Sequence, residues 1–166
     1  MNKKREDLKQ RIAKLEQLLS ISRRLNSTLQ MRPLLQQIVQ SARELTDADE
    51  ASILLMRSDQ TLHFAAASGP QASVLIDSTE VPLDGSLAGW VVKNRELLIV
   101  EDAQSDPRHY AIQSIDPTQS IVAVPMLFGE QVIGVVEAIT TKTRHRFTAH
   151  DLQTIETLAS IAAFAV

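Results

Sequence analysis

The spacing of apolar positions changes along the chain, and each change predicts a new element. Leu8, Ile12, Leu15, Leu19, Ser22, Asn26 and Leu29 alternate in steps of four and three. That predicts one helix over 2–30 with a heptad seam. Two readings fit the seam: an amphipathic helix packed on its own domain, or a two-stranded coiled coil whose Asn26 fixes the register. The second is preferred, because a free helix with this stripe would leave apolar area in water. Pro33 fits the first turn of a second helix, where its missing N–H costs nothing. Leu34, Leu35, Ile38, Val39, Ala42 and Leu45 give that helix a stripe to bury.

Alternation then takes over. Residues 51–57 (ASILLMR) and 61–68 (TLHFAAAS) read as a hairpin around Ser58, Asp59 and Gln60, ended by Gly69 and Pro70. A short helix is predicted near 73–76, then an extended approach through Val81 and Pro82. The most informative stretch is 85–108, GSLAGWVVKNRELLIVEDAQSDPR. It reads as a small-residue helix over 86–94, a short strand from Leu97 to Val100, and an acidic turn closed by Asp-Pro-Arg. Gly85 and Gly89 would let backbone approach backbone or a ligand there. Residues 102–119 form a long loop with a helical turn predicted at 110–114; loops this long in a compact domain are usually functional or mobile. Strands at 120–128 and 131–140 follow, joined tightly at Gly129 and Glu130. The final helix starts with Thr148 as N-cap and is expected to turn Leu152, Ile155, Leu158, Ile161 and Ala162 inward. Its pattern is still running at Val166, so the chain reads as a piece of a longer protein. The local hairpins predict an antiparallel sheet.

Composition narrows the possibilities. At 166 residues the chain is one domain plus an appendage. The net charge of -3 lacks the basic face that nucleic acid requires, and the basic cluster Lys3, Lys4, Arg5, Lys9 and Arg11 is diluted by acids. No apolar run is long enough to span a bilayer, and the charged N-terminus does not read as a signal peptide. A cytoplasmic location, with neither membrane nor nucleic-acid partner, is the expectation. The chain has no cysteine. Disulfides, thiolate metal sites and thiol catalysis are therefore closed to it.

The 85–108 segment, the strand pair SIVAVPMLFGEQVIGVVEAI (120–139) and the closing FTAHDLQTIETLASIAAFAV (147–166) together resemble a GAF domain. The resemblance covers 31–166 and leaves 1–30 as an N-terminal amphipathic or coiled-coil signalling helix. It implies an α+β fold, GAF-like (PAS-like): an antiparallel sheet with helices on one face and a helix-loop pocket insertion on the other. GAF domains are sensor modules of signalling proteins, and what they sense varies widely. GAF-fold methionine sulfoxide reductases work through cysteine, and bilin-binding GAF photoreceptors attach their chromophore to one. A chain without cysteine can hold no covalent bilin. The family's cyclic-nucleotide members carry an Asn-Lys, Phe, Asp-Glu pattern. Lys142, Phe147 and Asp151 match it, but Thr141 stands where the Asn belongs and Leu152 where the Glu belongs. A cyclic nucleotide is thus unsupported, and a Lys142–Asp151 ion pair tying strand to helix is expected as structure.

The remaining chemistry-bearing residues each have a plainer role open to them. His63, His109, His145 and His150 have no metal-ligand spacing, so no metal site is expected. His109, beside Tyr110, lies where the family places ligand-facing residues. It is the one candidate for a haem axial ligand, and an exposed loop histidine is the preferred reading. Asp102 and Asp106 have no nucleophile or metal beside them and are expected to shape the loop through backbone hydrogen bonds, with Arg108 as partner. Trp90 is a core anchor or a stacking platform for a planar ligand, with the core preferred. Glu137 shares a strand face with Ile133, Val135 and Ile139. Either that face is partly exposed, or Glu137 points into a pocket, since a buried unpaired carboxylate is costly.

These readings converge on a non-catalytic small-molecule sensor. It would pass ligand state through the terminal helices of a homodimer to an output domain such as a histidine kinase or cyclase. The alternative is a dimerisation module with no ligand. The expected pocket residues are Phe64, Ala66, Ile99, Val122 and Val124 from strands, with Trp90, His109 and Tyr110 from the insertion. No catalytic residue is assigned, and the ligand or cofactor stays unknown, with haem and cyclic nucleotide unsupported.

Overall fold

The computed structural model describes residues 2–112, 115–142 and 147–166, and their side chains apart from 2, 22–29, 77 and 78. The first element, α1 (Asn2–Leu45), is one helix with Pro33 inside it. The helix start expected at Pro33 does not occur. An interior proline costs about 3 kcal/mol, but strong helix formers on both sides, Gln30, Met31, Arg32, Leu34 and Leu35, carry the helix through. The chain divides into two compact units, Met1–Pro33 and Leu34–Val166. In the first unit Leu8, Ile12, Leu15 and Leu19 are all 48–60% exposed. Ser22, Asn26 and Leu29 of the seam lie outside the described side chains.

In the second unit the end of α1 buries Leu35, Ile38, Val39 and Ala42. Leu34 and Leu45, expected in the same stripe, are exposed. Leu34 lies a full helical step off the stripe, and Leu45 ends the helix. The elements that follow are β1 (Glu50–Met56), β2 (Thr61–Ser68), α2 (Ala72–Ser78), β3 (Glu80–Pro82), α3 (Leu87–Asn94), β4 (Leu98–Val100), β5 (Ser120–Phe128), β6 (Gln131–Thr140) and α4 (Ala149–Ala165). One six-stranded sheet runs in the order β3-β2-β1-β6-β5-β4. Every pairing is antiparallel. The segment expected only as an extended approach at Val81 and Pro82 is a paired edge strand, β3. The 102–119 segment holds a single 3-10 turn, Ala103–Ser105. Tyr110 to Ile112 take no regular form, and 113–114 lie outside the described residues.

The sheet has two buried faces. Leu54, Leu62, Phe64, Ala123 and Val135 point to one, packing with Leu75, Leu87 and Val91 of α2 and α3. Their strand neighbours Ile53, Val122, Val124 and Val136 are buried on the other. There α4 packs on β5 and β6. The side chain of Thr148 accepts from Asp151 N at 3.1 Å, and Asp151 accepts from Thr148 N at 2.8 Å, a complete capping box. So α4 starts where expected. It presents the expected face only in part: Ile155 and Ala162 are buried as expected, joined by Ala159 and Ala163, but Leu152 and Leu158 are half-buried and Ile161 is exposed. Small side chains let the helix sit close to the sheet, which favours the alanine side over the bulky one.

Candidate ligand pocket

The pocket face is built from β1 and β6 upward. Alternation sends Glu50, Ser52 and Leu54 of β1 to the same side as Val135, Glu137 and Ile139 of β6. Ser52 stands directly opposite Glu137, and Glu50 opposite Ile139. Above this floor lies α3, capped by Ser86. Its hydroxyl accepts from Gly89 N at 2.9 Å and donates to the Pro82 carbonyl at 2.5 Å. A Cβ at Gly89 would collide with the Leu83 backbone, so the close approach expected at this glycine is made to backbone.

The 102–119 segment closes the side. Asp106 binds Arg108 through its backbone N at 2.8 Å, Nε at 2.9 Å and Nη2 at 2.7 Å. That guanidinium lies 4.8 Å from the Trp90 ring centroid, tying the segment to α3. Gln104 Nε2 donates to the Thr118 carbonyl at 2.8 Å and lies 3.2 Å from His109 Nε2. Asp102 accepts from Ser105 Oγ at 2.8 Å. Asp116 N donates to Gln71 Oε1 at 2.6 Å, and Ile112 and Ile115 pack on the core. The segment is fastened at several points rather than hung from its ends.

Between floor, α3 and this segment lies a cavity of about 70 Å³. Its walls are mostly apolar: Phe64, Leu75, Val81, Leu87 and Ile121 from regular elements, Ile112 and Ile115 from the loop. Its ionisable groups are Glu50, Glu137, His109 and Tyr110, and no lysine or arginine lines it among the described residues. Glu137 keeps partial accessibility within the pocket and has no hydrogen-bond or ion-pair partner among the described residues. Burial pushes its carboxyl up to about 7. Glu50 is buried at 3% exposure; its Oε1 accepts from Gln71 N at 3.2 Å and its buried Oε2 has no hydrogen-bond partner among the described residues. Burial raises its pKa too, partly offset by the Gln71 N–H and by Arg43. Burial lowers the His109 pKa, which keeps the imidazole neutral near pH 7.

Of the expected pocket residues, the structure brings Phe64, His109 and Tyr110 to this cavity. Ala66 lies on the opposite face, paired with Ile53, because the β1–β2 register shifts by one residue just before it. Val122 is buried between Ile99 and Ala138 on that same opposite face, and Ile99 is itself exposed. Val124 lines a separate open groove with Leu127 of β5 and Glu156 of α4. Trp90 borders a small surface cleft with Gly85, Pro107 and Arg108. Glu50 and Ser52 were not among the expected residues, while Glu137, read as either on a partly exposed face or pointing into a pocket, lines the cavity. Their signal was present: a carboxylate inside an apolar strand, whose cross-strand neighbours follow from the register. Asp151 caps α4 instead of pairing with Lys142, and no ion pair joins the two among the described residues. His145 lies outside the described residues. No group of three or more His, Asp or Glu could hold a metal ion among the described residues. Nor is any helix among them long and apolar enough to cross a membrane.

A curled antiparallel sheet with a pocket beneath α3 and the 102–119 segment on one face and α4 on the other defines an α+β fold of the GAF class. The chain belongs to the GAF domain family, whose model matches residues 28–166. It is 28% identical to the probable 3',5'-cyclic phosphodiesterase pde-5 of Caenorhabditis elegans, over 97% of this chain and 24% of that protein. The chain thus spans about a quarter of the length of that relative. The GAF domain of an Acinetobacter phosphoenolpyruvate-protein phosphotransferase superposes with a TM-score of 0.75, at 20% identity over 92% of this chain and 91% of that one. The type II free methionine-R-sulfoxide reductase of Thermoplasma acidophilum gives 0.70, at 21% identity over 81% and 91%. The family is one of regulatory and sensory modules, and the fold also serves an enzyme.

Proposed function

We propose that this chain is a non-catalytic, small-molecule-sensing regulatory domain. Ligand would sit over β1 and β6 beneath the 102–119 segment. Its state would pass through the terminal helices of a dimer to an output domain such as a histidine kinase or cyclase. The observation that carries the reading is the cavity itself: apolar walls with a few convergent polar groups, one a desolvated carboxylate. Such a group gains from a ligand what folding does not give it. An enzymatic role is disfavoured, because the chain has no cysteine and Ser86 is committed to its cap. A cyclic nucleotide, suggested by the likeness to the worm protein's name, would place a phosphate beside two carboxylates. The test is mass spectrometry of small molecules released from the purified full chain, with Ala88→Phe to fill the cavity. A compound present in the unmodified chain and absent from the variant is expected. The same extract from both would overturn the reading.

Exposure of Leu8, Ile12, Leu15 and Leu19 supports the dimer part of the proposal. Two copies would bury the stripe against each other.

A further inference from the structure

The polar groups of the cavity are unusually one-sided. Glu50 and Glu137 are diagonal neighbours across the β1–β6 pair, on one face, roughly 7 Å apart by strand geometry. Glu50 is partly offset by Arg43, whereas Glu137 meets no cation among the described residues. An anionic ligand would add a further negative charge to a low-dielectric chamber. A cation would relieve both carboxylates at once. Two aromatic residues, Phe64 and Tyr110, border the same space, and an aromatic face attracts positive charge. A dry cavity of about 150 Å³ accepts benzene; this one, at about 70 Å³, suits a head group of a few heavy atoms.

Resting on the pocket reading above, we propose that the cavity takes a small organic cation, an ammonium, amidinium or guanidinium head. The Glu137 carboxylate would be its direct partner, with Phe64 and Tyr110 as aromatic walls. Binding draws the proton from Glu137, so it strengthens as that group ionises. The other titratable groups lining the pocket are Glu50 on β1 and His109 and Tyr110 on the loop. The lining residues of α2 and α3, Leu75, Leu87 and Ala88, carry no charge. His109, neutral near pH 7, leaves the two carboxylates as the charges that face the ligand.

The test is an NMR shift titration of the full chain with methylguanidinium, its neutral isostere methylurea, and acetate. Methylguanidinium should perturb the pocket resonances at least about tenfold more tightly than either control at about pH 8, and Glu137→Gln should remove that preference. In the unmodified chain its affinity should fall about tenfold per pH step below 7 and level off above it. Tighter binding of methylurea or acetate would overturn the cation while leaving a ligand pocket in place. Silence with all three would overturn it too, and the extraction experiment then decides the pocket separately. Should Glu137→Gln not fold, the pH profile alone decides, and a flat profile sinks the proposal.

Discussion

Glu137 is the residue on which stability and function meet. Its carboxyl sits at about 7 in the folded chain against an ordinary 4.5. A raised acid binds its proton more tightly when folded, so the linked stability is present below the unfolded value and lost as pH rises through 7. Loss on the order of 3 kcal/mol between acid and alkaline conditions follows from this group. Glu137→Gln should flatten that part of the profile and stabilise the chain at about pH 8. Denaturant midpoints at acid and alkaline pH check it, and parallel profiles for the two proteins would refute it. Glu50 acts in the same direction and His109 in the opposite one, so the difference between the two proteins isolates Glu137. At the start of α4, Thr148→Ala removes half the capping box and should cost about 1 kcal/mol in urea unfolding. This cap was legible as a threonine before a helical run. The role of Asp151 within it was not legible: the family pattern points to an ion pair with Lys142, whereas its position three residues after Thr148 makes it the second half of the cap.

Elements were legible wherever period and punctuation agreed. Both hairpins, α3 behind Ser86 and the short strand before the long loop stand where alternation and glycine placed them. The passage of α1 through Pro33 was not legible, since proline's local penalty says nothing about the helix formers that outvote it. Nor was the side of β5: it is buried on both faces, so an apolar run gives no sign of which alternate set meets a ligand. Hence the pattern points to Val122 and Val124, whereas Ile121 lines the cavity. At this scale the seam of α1 makes a prediction. Leu15→Asp with Leu19→Asp should yield monomers in sedimentation, because charges at seam positions lose their water in a dimer. An unmodified chain that is already monomeric at high concentration would end the idea. The loop makes another. The first part of 102–119, fastened through Arg108 and Ala103, should exchange its amides slowly with or without ligand. Tyr110 to Ile112 should slow only when ligand is bound. Equal protection there in both states would make the loop a fixed wall.

For the whole molecule, the pocket follows from register. Once β1 and β6 pair as Ser52 to Glu137, every second residue of both strands faces the same chamber, and the polar ones among them face it together. A single-residue shift in the β1–β2 pair took Ala66 out of that chamber while Phe64 stayed in. Sequence pattern could place the strands but not that shift. The cation and the pH linkage both require that Glu137 stand desolvated inside the chamber. The most direct measurement is an NMR titration of the Glu137 carboxyl carbon in the full chain, assigned with Glu137→Gln. A midpoint near 7 is expected; a midpoint near 4.5 would mean a solvated carboxylate and would contradict both the cation site and the pH linkage.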